Sequence, residues 1–188
     1  MLIRRDDALL LIVDIQEKLA PAIFESDQVV RNSVRLIQGA RQLAVPVFVS
    51  EQYVKGLGPS LAAIREAATA PMAPPAVDGC FFEKTHFSCA AEPGVLALLH
   101  ATGKRQIVLT GTEAHVCVLQ TALGLLAAGF EVYLVADAAS SRTPESRALA
   151  FERLRAADVR IVSTEMVLFE WLERAATDTF RAMLPLIK

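Results

Sequence analysis

The sequence predicts an α/β fold in which helices cover both faces of a parallel sheet. Short apolar runs, each long enough for one strand, alternate along the chain with segments of helical periodicity. Strands that are apolar on both sides suit a parallel sheet covered on both faces, and their alternation with helices favours right-handed crossovers. No repeat or long linker interrupts this alternation, so residues 1–188 are expected to form a single domain.

Five apolar runs are the predicted strands. The first is continuously apolar and ends at Asp14, and the others are rich in β-branched or aromatic residues. The five runs are Ala8–Val13, Val45–Ser50, Gln106–Thr110, Glu131–Ala136 and Val159–Ser163. A further short strand with a charged exit is expected within Cys80–Cys89, after a turn-rich loop at Met72–Pro75.

Helices are predicted between these strands. Asp27–Leu43 carries apolar residues at helical spacing on one side and arginines on the other, which is an amphipathic pattern. Thr143 followed by Pro144 marks a helix start, and Gly129 marks a helix end. The other predicted helices are Pro93–Ala101, Cys117–Ala128, Pro144–Ala157 and Ala176–Leu184.

The composition narrows the class of partner and the compartment. Hydrophobic residues make up 53% of the chain and the net charge is −2, so neither nucleic acid nor an anionic membrane is favoured as a partner. No apolar run approaches the ~18 residues that a membrane span needs, and Ala8–Val13 is too short for a signal-peptide core. Three cysteines at irregular spacing indicate free thiols, and a cytoplasmic location is expected.

Open parallel sheets bind ligands beyond the carboxyl ends of their strands. Asp14, Glu51, the segment 111–117 and Asp137 follow predicted strands and occupy such positions. Phosphate-binding glycine motifs are absent, because the sequence has no GxGxxG after the first strand and no GxxxxGK[ST]. The stretch YVKGLGPS, residues 53–60, is expected to be a loop near the site that closes over substrate or makes an oligomer contact.

Three side chains near strand ends have complementary chemistry. Cys117 lies where a strand turns into a helix, so the helix dipole and free N–H groups favour a thiolate and an oxyanion there, and Gly111 permits the sharp turn. Asp14 can take the thiol proton and return it to a leaving group. Lys84 lies between aromatic residues and can stabilise both anions. Each has an ordinary alternative, namely core packing, helix capping and a solvated surface position.

The histidines are weaker candidates. His86 and Cys89 could be taken as metal ligands together with Cys80. Zinc binding is disfavoured, because no second pair with zinc-ligand spacing is present. His115 lies two residues before Cys117, but in a tight turn its side chain need not face the thiol, so Asp14 ranks above it as the base.

Together these residues resemble the isochorismatase-like cysteine hydrolase family. The resemblance is carried by IVDIQEKL around Asp14, FEKTHFS around Lys84 and TGTEAHVCVLQTA around Cys117. A fourth segment, AAGFEVYLVADAASSR at 127–142, resembles the family's next strand and loop, so the match covers nearly the whole chain in order. The resemblance implies a three-layer, Rossmann-like fold with a six-stranded parallel sheet and helices on both faces.

The resemblance also implies a reaction. The family's triad corresponds to Asp14, Lys84 and Cys117, with the thiolate attacking an amide carbonyl to form a thioester that water hydrolyses. Asp14 is then base and later acid, and Lys84 tunes the pair electrostatically. The N–H groups of Glu113 and Cys117 are the implied oxyanion donors, presented by a cis peptide at Thr112–Glu113.

Two departures select a branch of this family. The nicotinamidase branch holds a metal through an Asp-x-His motif after the second strand, whereas this sequence reads Ser50-Glu51-Gln52-Tyr53 there. The phenazine- and siderophore-type isochorismatases commonly lack the cysteine that is present here as Cys117. The stretch SEQYVKGLGPS is similar to the unassigned isochorismatase-domain hydrolases. No metal and no other cofactor is therefore expected.

The predicted function is metal-independent hydrolysis of a small amide or related C–N bond. Proximity to strand ends nominates four substrate-binding residues: Gln16, Phe24, Tyr53 and His115. The expected partners are a small-molecule substrate and further copies of the chain in a homo-oligomer. Three alternatives stay open: an ether or ester hydrolase that does not use Cys117, an inactive binding or scaffold protein, and a phospho-acceptor signalling domain. The last needs an acidic pair just after the first strand, whereas Asp6-Asp7 precedes it.

Overall fold

The computed structural model describes residues 1–71 and 79–187. Six strands form one parallel sheet in the order β3-β2-β1-β4-β5-β6. They are β1 (Ala8–Val13), β2 (Val47–Gln52), β3 (Cys80–Lys84), β4 (Gln106–Gly111), β5 (Glu131–Ala139) and β6 (Arg160–Val162). The predicted fold class is confirmed. The direction of winding reverses between β1 and β4, where sheets of this kind bind ligands.

Helices cover both faces of the sheet. Within the described residues they are α1 (Ser26–Gln42), α2 (Val54–Leu57), α3 (Ala62–Thr69), α4 (Val95–His100), α5 (Leu119–Ala127), α6 (Pro144–Ala156), α7 (Thr164–Leu172) and α8 (Asp178–Ile187). Leu10 and Ile12 of β1 belong to one core with α1, α3, α7 and α8, whereas Leu9, Leu11 and Val13 belong to another with α4, α5 and α6. Alternating side chains of one strand thus explain why its sequence is apolar throughout.

Two strands run further than their apolar residues predict. β2 includes Glu51 and Gln52, which were placed beyond it, because its ladder with β3 continues to the pair Gln52 and Lys84. β5 likewise contains Asp137, whose Oδ1 accepts a hydrogen bond from the N–H of Thr164 over 2.8 Å. Polar residues are kept in these strands because their side chains meet buried partners at the carboxyl edge, which a hydropathy pattern does not reveal.

The helix boundaries also differ in places. The helix predicted to begin at Cys117 begins at Leu119, after a π-helical turn over Ala114–Val118. The predicted loop at 53–60 contains α2, and both α3 and α7 were missed. α7 buries one face, but the apolar residues Met166 and Phe169 lie on its exposed side, so its sequence lacks the amphipathic pattern that identifies α1. The loop predicted at Met72–Pro75 lies outside the described residues.

The predicted helix ends at Thr143 and Gly129 are confirmed. Thr143 Oγ1 accepts the N–H of Ser146 over 3.2 Å at the start of α6, and Gly129 has a φ of 91° just after α5. Within residues 1–71 and 79–187, no helix is both long enough and apolar enough to cross a membrane.

Candidate active site

A buried ion pair lies at the carboxyl edge of the sheet. Lys84, the last residue of β3, donates from Nζ to Oδ2 of Asp14 over 2.7 Å, and both side chains are fully shielded from solvent. Lys84 also faces the carbonyl oxygens of His86 at 3.3 Å and Phe87 at 3.1 Å. Because burial of a charge is costly unless it is paired and hydrogen-bonded, this lysine is held as part of the site and is not a solvated surface group.

Asp14 is fixed by the two strands beside it. Ser50 of β2 donates from Oγ to Asp14 Oδ1 over 2.7 Å, and Thr112 beyond β4 donates from Oγ1 to the Asp14 carbonyl oxygen over 2.5 Å. The backbone of Asp14 adopts a left-handed conformation with a φ of 54°. A non-glycine residue in that region carries strain of order 1 kcal/mol or more, which the surrounding hydrogen bonds must offset.

Cys117 completes the cluster from the π-helical turn. The thiol lies close to the Asp14 carboxylate, and only 4% of the residue is exposed. Burial raises the pKa of the Cys117 thiol well above its ordinary value, the nearby Asp14 charge raises it further, and Lys84 partly opposes both effects. The helix end was expected to favour a thiolate, whereas burial acts in the opposite direction and favours the neutral thiol.

The turn before Cys117 depends on Gly111. A Cβ at this residue would lie 2.1 Å from the carbonyl oxygen of Val13, and its φ is 139°, so only glycine lets β4 approach β1 here. Glu113 follows in a left-handed conformation with a φ of 54°. Within the described parts of the chain, the N–H of Glu113 meets no acceptor, whereas that of Ala114 donates to the carbonyl of Ser140 over 2.9 Å. This turn therefore presents a backbone donor.

Two of the expected substrate contacts lie on the β2 side of the site. Gln16 is fully buried, and its amide binds the backbone of Gln52 and the carbonyl of Gly58. Its polar atoms thus hold the segment that follows β2. Because these atoms are already hydrogen-bonded, Gln16 supports the site and does not contact the substrate as expected. Tyr53 is 57% exposed and lines a cavity of about 370 Å³ together with Lys84.

The other two expected contacts lie on the opposite side. The N–H of Phe24 donates to the Ser141 carbonyl oxygen over 2.8 Å. His115 Nδ1 lies 3.0 Å from Ser141 Oγ and 3.7 Å from the Glu113 carboxylate, and Nε2 lies 3.5 Å from the Arg142 guanidinium. Both residues thus contact Ser141, Phe24 through its backbone N–H and His115 through its side chain. His115 is engaged by Ser141 and its neighbours, so Asp14 remains the candidate base.

A family model described as the isochorismatase domain matches residues 8–166, which contain all three members of the cluster. The chain belongs to the isochorismatase family. The family resemblance drawn from the three motifs is thereby confirmed.

Several isochorismatase-family relatives match most of the chain. Isochorismatase domain-containing protein 1 of Danio rerio is 39% identical over 175 residues, which are 93% of this chain and 59% of the relative. Isochorismatase domain-containing protein 2 of Danio rerio is 37% identical over 180 residues, which are 96% of this chain and 86% of the relative. This chain thus spans less than two thirds of the first relative and most of the second.

A solved structure agrees with this assignment. The MAR1 ribonuclease from Caenorhabditis elegans superposes with a TM-score of 0.89 at 33% identity, covering 100% of this chain and 92% of the other. The six-stranded parallel sheet of this chain therefore matches that of a solved structure along its whole length.

Four residues of this isochorismatase-family site have contacts that were not predicted from the sequence. Ser50 and Thr112 hold Asp14, and Gln52 contacts Lys84. Cys89 is fully buried near the Asp14 and Lys84 charges, and burial raises the pKa of its thiol to about 11. The only sequence signal for Ser50 and Gln52 was their place near the end of a strand. That stretch was compared with the Asp-x-His metal motif, and its residues were given no other role.

Among residues 1–71 and 79–187, no three His, Cys, Asp or Glu side chains are grouped so that they could hold a metal ion. At the position of the nicotinamidase motif, Glu51 instead accepts hydrogen bonds from the N–H of Ser60 over 2.7 Å and from Arg65 over 2.9 Å. The Glu51 carboxylate thus stabilises the segment that follows α2 through hydrogen bonds.

Proposed function

We propose that this protein is a metal-independent cysteine hydrolase that cleaves the C–N bond of a small amide through a thioester. The observation that carries the proposal is the buried Asp14 carboxylate, which pairs with the Lys84 ammonium and lies close to the Cys117 thiol. A nucleophile, a base and a fixed cation are the three groups that acyl transfer of this kind needs.

In the first half of the reaction, Asp14 removes the thiol proton as the Cys117 sulfur attacks the amide carbonyl carbon. The carbonyl oxygen becomes an oxyanion, for which the N–H groups of Glu113 and Cys117 are the proposed donors. When the tetrahedral intermediate collapses, the C–N bond breaks and Asp14 gives its proton to the leaving nitrogen. Ammonia or an amine departs, and the acyl group remains on sulfur as a thioester.

In the second half, a water molecule attacks the thioester carbonyl and transfers a proton to Asp14. The C–S bond breaks, the carboxylic acid is released, and the proton returns from Asp14 to the Cys117 sulfur. Lys84 keeps its charge throughout and stabilises the carboxylate between proton transfers. This cycle suits a thiol whose pKa is raised by burial, because Asp14 takes the proton as the sulfur attacks.

The proposal extends to partners and location. The substrate is a small molecule, with Phe24, Tyr53 and His115 as its proposed contacts beside the triad. The chain is proposed to be cytoplasmic, since Cys80, Cys89 and Cys117 are all free. It is also proposed to form a homo-oligomer, for which exposed apolar side chains such as Leu149 and Phe169 offer contact surface.

Alkylation by iodoacetamide, followed by intact-mass and peptide analysis, tests the role of Asp14. A Cys80→Ser background removes the exposed thiol and leaves the two buried ones. We expect Cys117 to react faster than Cys89, and Asp14→Asn to slow it, because the base is lost. If Asp14→Asn speeds the reaction, the carboxylate only opposes the thiolate and the proposed mechanism is wrong. Asp137→Asn, at the same edge of the sheet, is the matched control and should leave the rate unchanged.

A substrate panel then tests the bond that is cleaved. Small amides, esters and vinyl ethers are incubated with the protein, and hydroxylamine captures any thioester as a hydroxamate. An RNA oligonucleotide belongs in the panel because the Caenorhabditis elegans neighbour is named a ribonuclease. An acyl group on Cys117 from amides alone is the expected result. Turnover that survives Cys117→Ser would favour the ether or ester alternative, and no turnover of any compound would favour a binding protein.

A further inference from the structure

Gln52 lies between the two strands that carry the ion pair. It is the last residue of β2, its register partner on β3 is Lys84, and it is 7% exposed. The side-chain Oε1 accepts a hydrogen bond from Lys84 Nζ over 2.6 Å, and Nε2 donates to the carbonyl of Thr85 over 2.9 Å. One amide therefore holds both the ammonium of Lys84 and the backbone just after it.

The ammonium has few ways to turn within this cage. Its acceptors are Asp14 Oδ2 at 2.7 Å, Gln52 Oε1 at 2.6 Å and the carbonyl oxygens of His86 and Phe87. An ammonium has three protons, so these four acceptors fill its donor capacity. Asp14 is the only acceptor of the four with a negative charge, and the neutral oxygens fix the direction in which the cation meets it.

The backbone of Gln52 is itself held by the segment that carries Asp14. Gln16 Oε1 accepts the N–H of Gln52 over 2.8 Å, and Gln16 Nε2 donates to the Gln52 carbonyl over 3.0 Å. Gln16 lies two residues after Asp14, so the contacts run in a closed circuit through Asp14, Lys84, Gln52 and Gln16. A buried and fully hydrogen-bonded circuit of this kind rigidifies its members.

We propose that Gln52 is a positioning residue whose side chain aims the Lys84 ammonium at Asp14 and so sustains the reactivity of Cys117. This inference rests on the proposed function, because it requires the triad to act as a unit. Gln52 acts through Lys84, so its contribution disappears when Lys84 has no charge to aim. A residue that only stabilises the fold would lack that dependence.

A double-mutant cycle with Gln52→Met and Lys84→Met tests this dependence. The readout is the rate of Cys117 alkylation by iodoacetamide in the Cys80→Ser background, with thermal unfolding recorded for each protein. Gln52→Met should slow alkylation about tenfold, the change in thiolate that one pKa unit gives, when Lys84 is present. In the Lys84→Met background, the same change should alter the rate less than about twofold.

Two further variants support the cycle. Gln106 is a matched control, because it is also a buried glutamine with side-chain hydrogen bonds, at the opposite end of its strand from the site. Gln106→Met should lower the unfolding temperature without slowing alkylation. Gln52→Asn keeps an amide but withdraws it by one methylene from Lys84, so it should also slow alkylation. This variant takes the place of Gln52→Met in the test if Gln52→Met does not fold.

The outcomes separate this inference from the function on which it rests. If Asp14→Asn slows alkylation but Gln52→Met does not, the proposed function stands and the inference is wrong. If Gln52→Met slows alkylation equally with and without Lys84, its role is structural and the inference is also wrong. If Asp14→Asn does not slow alkylation, the proposed function fails and the inference fails with it.

Discussion

The ammonium of Lys84 lies 2.7 Å from the carboxylate of Asp14, and neither side chain is exposed to solvent. A buried charge that loses its partner costs far more than the pair contributes. Lys84→Met should therefore lower the free energy of unfolding by about 3–5 kcal/mol, measured by urea denaturation. Adding Asp14→Asn should recover a large part of that loss, because no uncompensated charge remains in the interior.

An exposed pair provides the control for this prediction. Arg105 Nη2 lies 2.6 Å from Asp7 Oδ2, but the arginine side chain is 72% exposed. Solvent screens such a pair, so Arg105→Met should cost far less stability than Lys84→Met. Equal losses at Lys84 and Arg105 would contradict the account of a desolvated pair.

Gly111→Ala should destabilise the protein by about 3 kcal/mol or more, measured by urea denaturation. The new methyl group would lie 2.1 Å from the Val13 carbonyl oxygen, in a backbone conformation that side chains rarely adopt. Gly103→Ala is the control, since its φ is 69° but no atom lies within 4 Å of the added Cβ. That control should cost only about 1–2 kcal/mol, the cost of the left-handed backbone alone. Similar losses at both positions would show that the close approach of β4 to β1 is not the cause.

Glu92 should stabilise the protein only above strongly acidic pH. The hydrogen bond from the His86 side chain, together with the N–H groups of Thr85 and His86, lowers the pKa of Glu92 from 4.5 to about 2. A carboxyl group with a lowered pKa stabilises the folded protein above pH 4.5, and this contribution is lost as the pH falls towards 2. The gap in unfolding temperature between the wild type and Glu92→Gln should therefore close across this window.

The control for Glu92 is an acidic residue without such a cage. Glu152 is exposed on α6, and Glu152→Gln should give no comparable gap at any pH. A gap at Glu92 that stays constant from neutral pH to pH 2 would contradict the assignment. The loop that Glu92 holds also supplies the carbonyl oxygens of His86 and Phe87 to Lys84. The rate of Cys117 alkylation should therefore also fall in the same acidic window.

The pH dependence of Cys117 alkylation should distinguish assisted from unassisted attack. Burial raises the pKa of this thiol, which disfavours the free thiolate. With Asp14 as base, the wild-type rate should change little between about pH 7 and pH 9. In Asp14→Asn, attack depends on free thiolate, and the rate should rise about tenfold per pH unit. A wild-type rate that rises as steeply as that of the variant would show that Asp14 takes no proton.

Much of this architecture follows from local sequence. The run Ala8–Val13 predicts a central strand because both of its faces are apolar, and Asp14 stands out as the first charge after it. The family resemblance then adds Lys84, whose side chain alone is indistinguishable from a surface lysine. Gly111 was also identifiable, since a strand that turns sharply into a helix needs a residue without a Cβ.

The partners of these residues were not predictable in the same way. Ser50 and Thr112 are ordinary polar residues, and their hydrogen bonds join segments that lie far apart in the chain. The burial of Cys117 was not predictable for a related reason. A helix end is visible in sequence, but the burial that opposes its effect on the thiol pKa arises only when α5 packs on the sheet. Local patterns thus reveal which groups are present, and packing sets the environment in which they titrate.

The way β1 divides its side chains between the two cores has a consequence for hydrogen exchange. Leu10 and Ile12 are anchored on one face and Leu9 and Leu11 on the other, so this strand cannot detach without opening both. Its amides should therefore exchange with deuterium only through global unfolding, as slowly as any in the protein. Since Asp14 directly follows this strand, partially unfolded forms that keep β1 in place should retain the carboxylate in its reactive position.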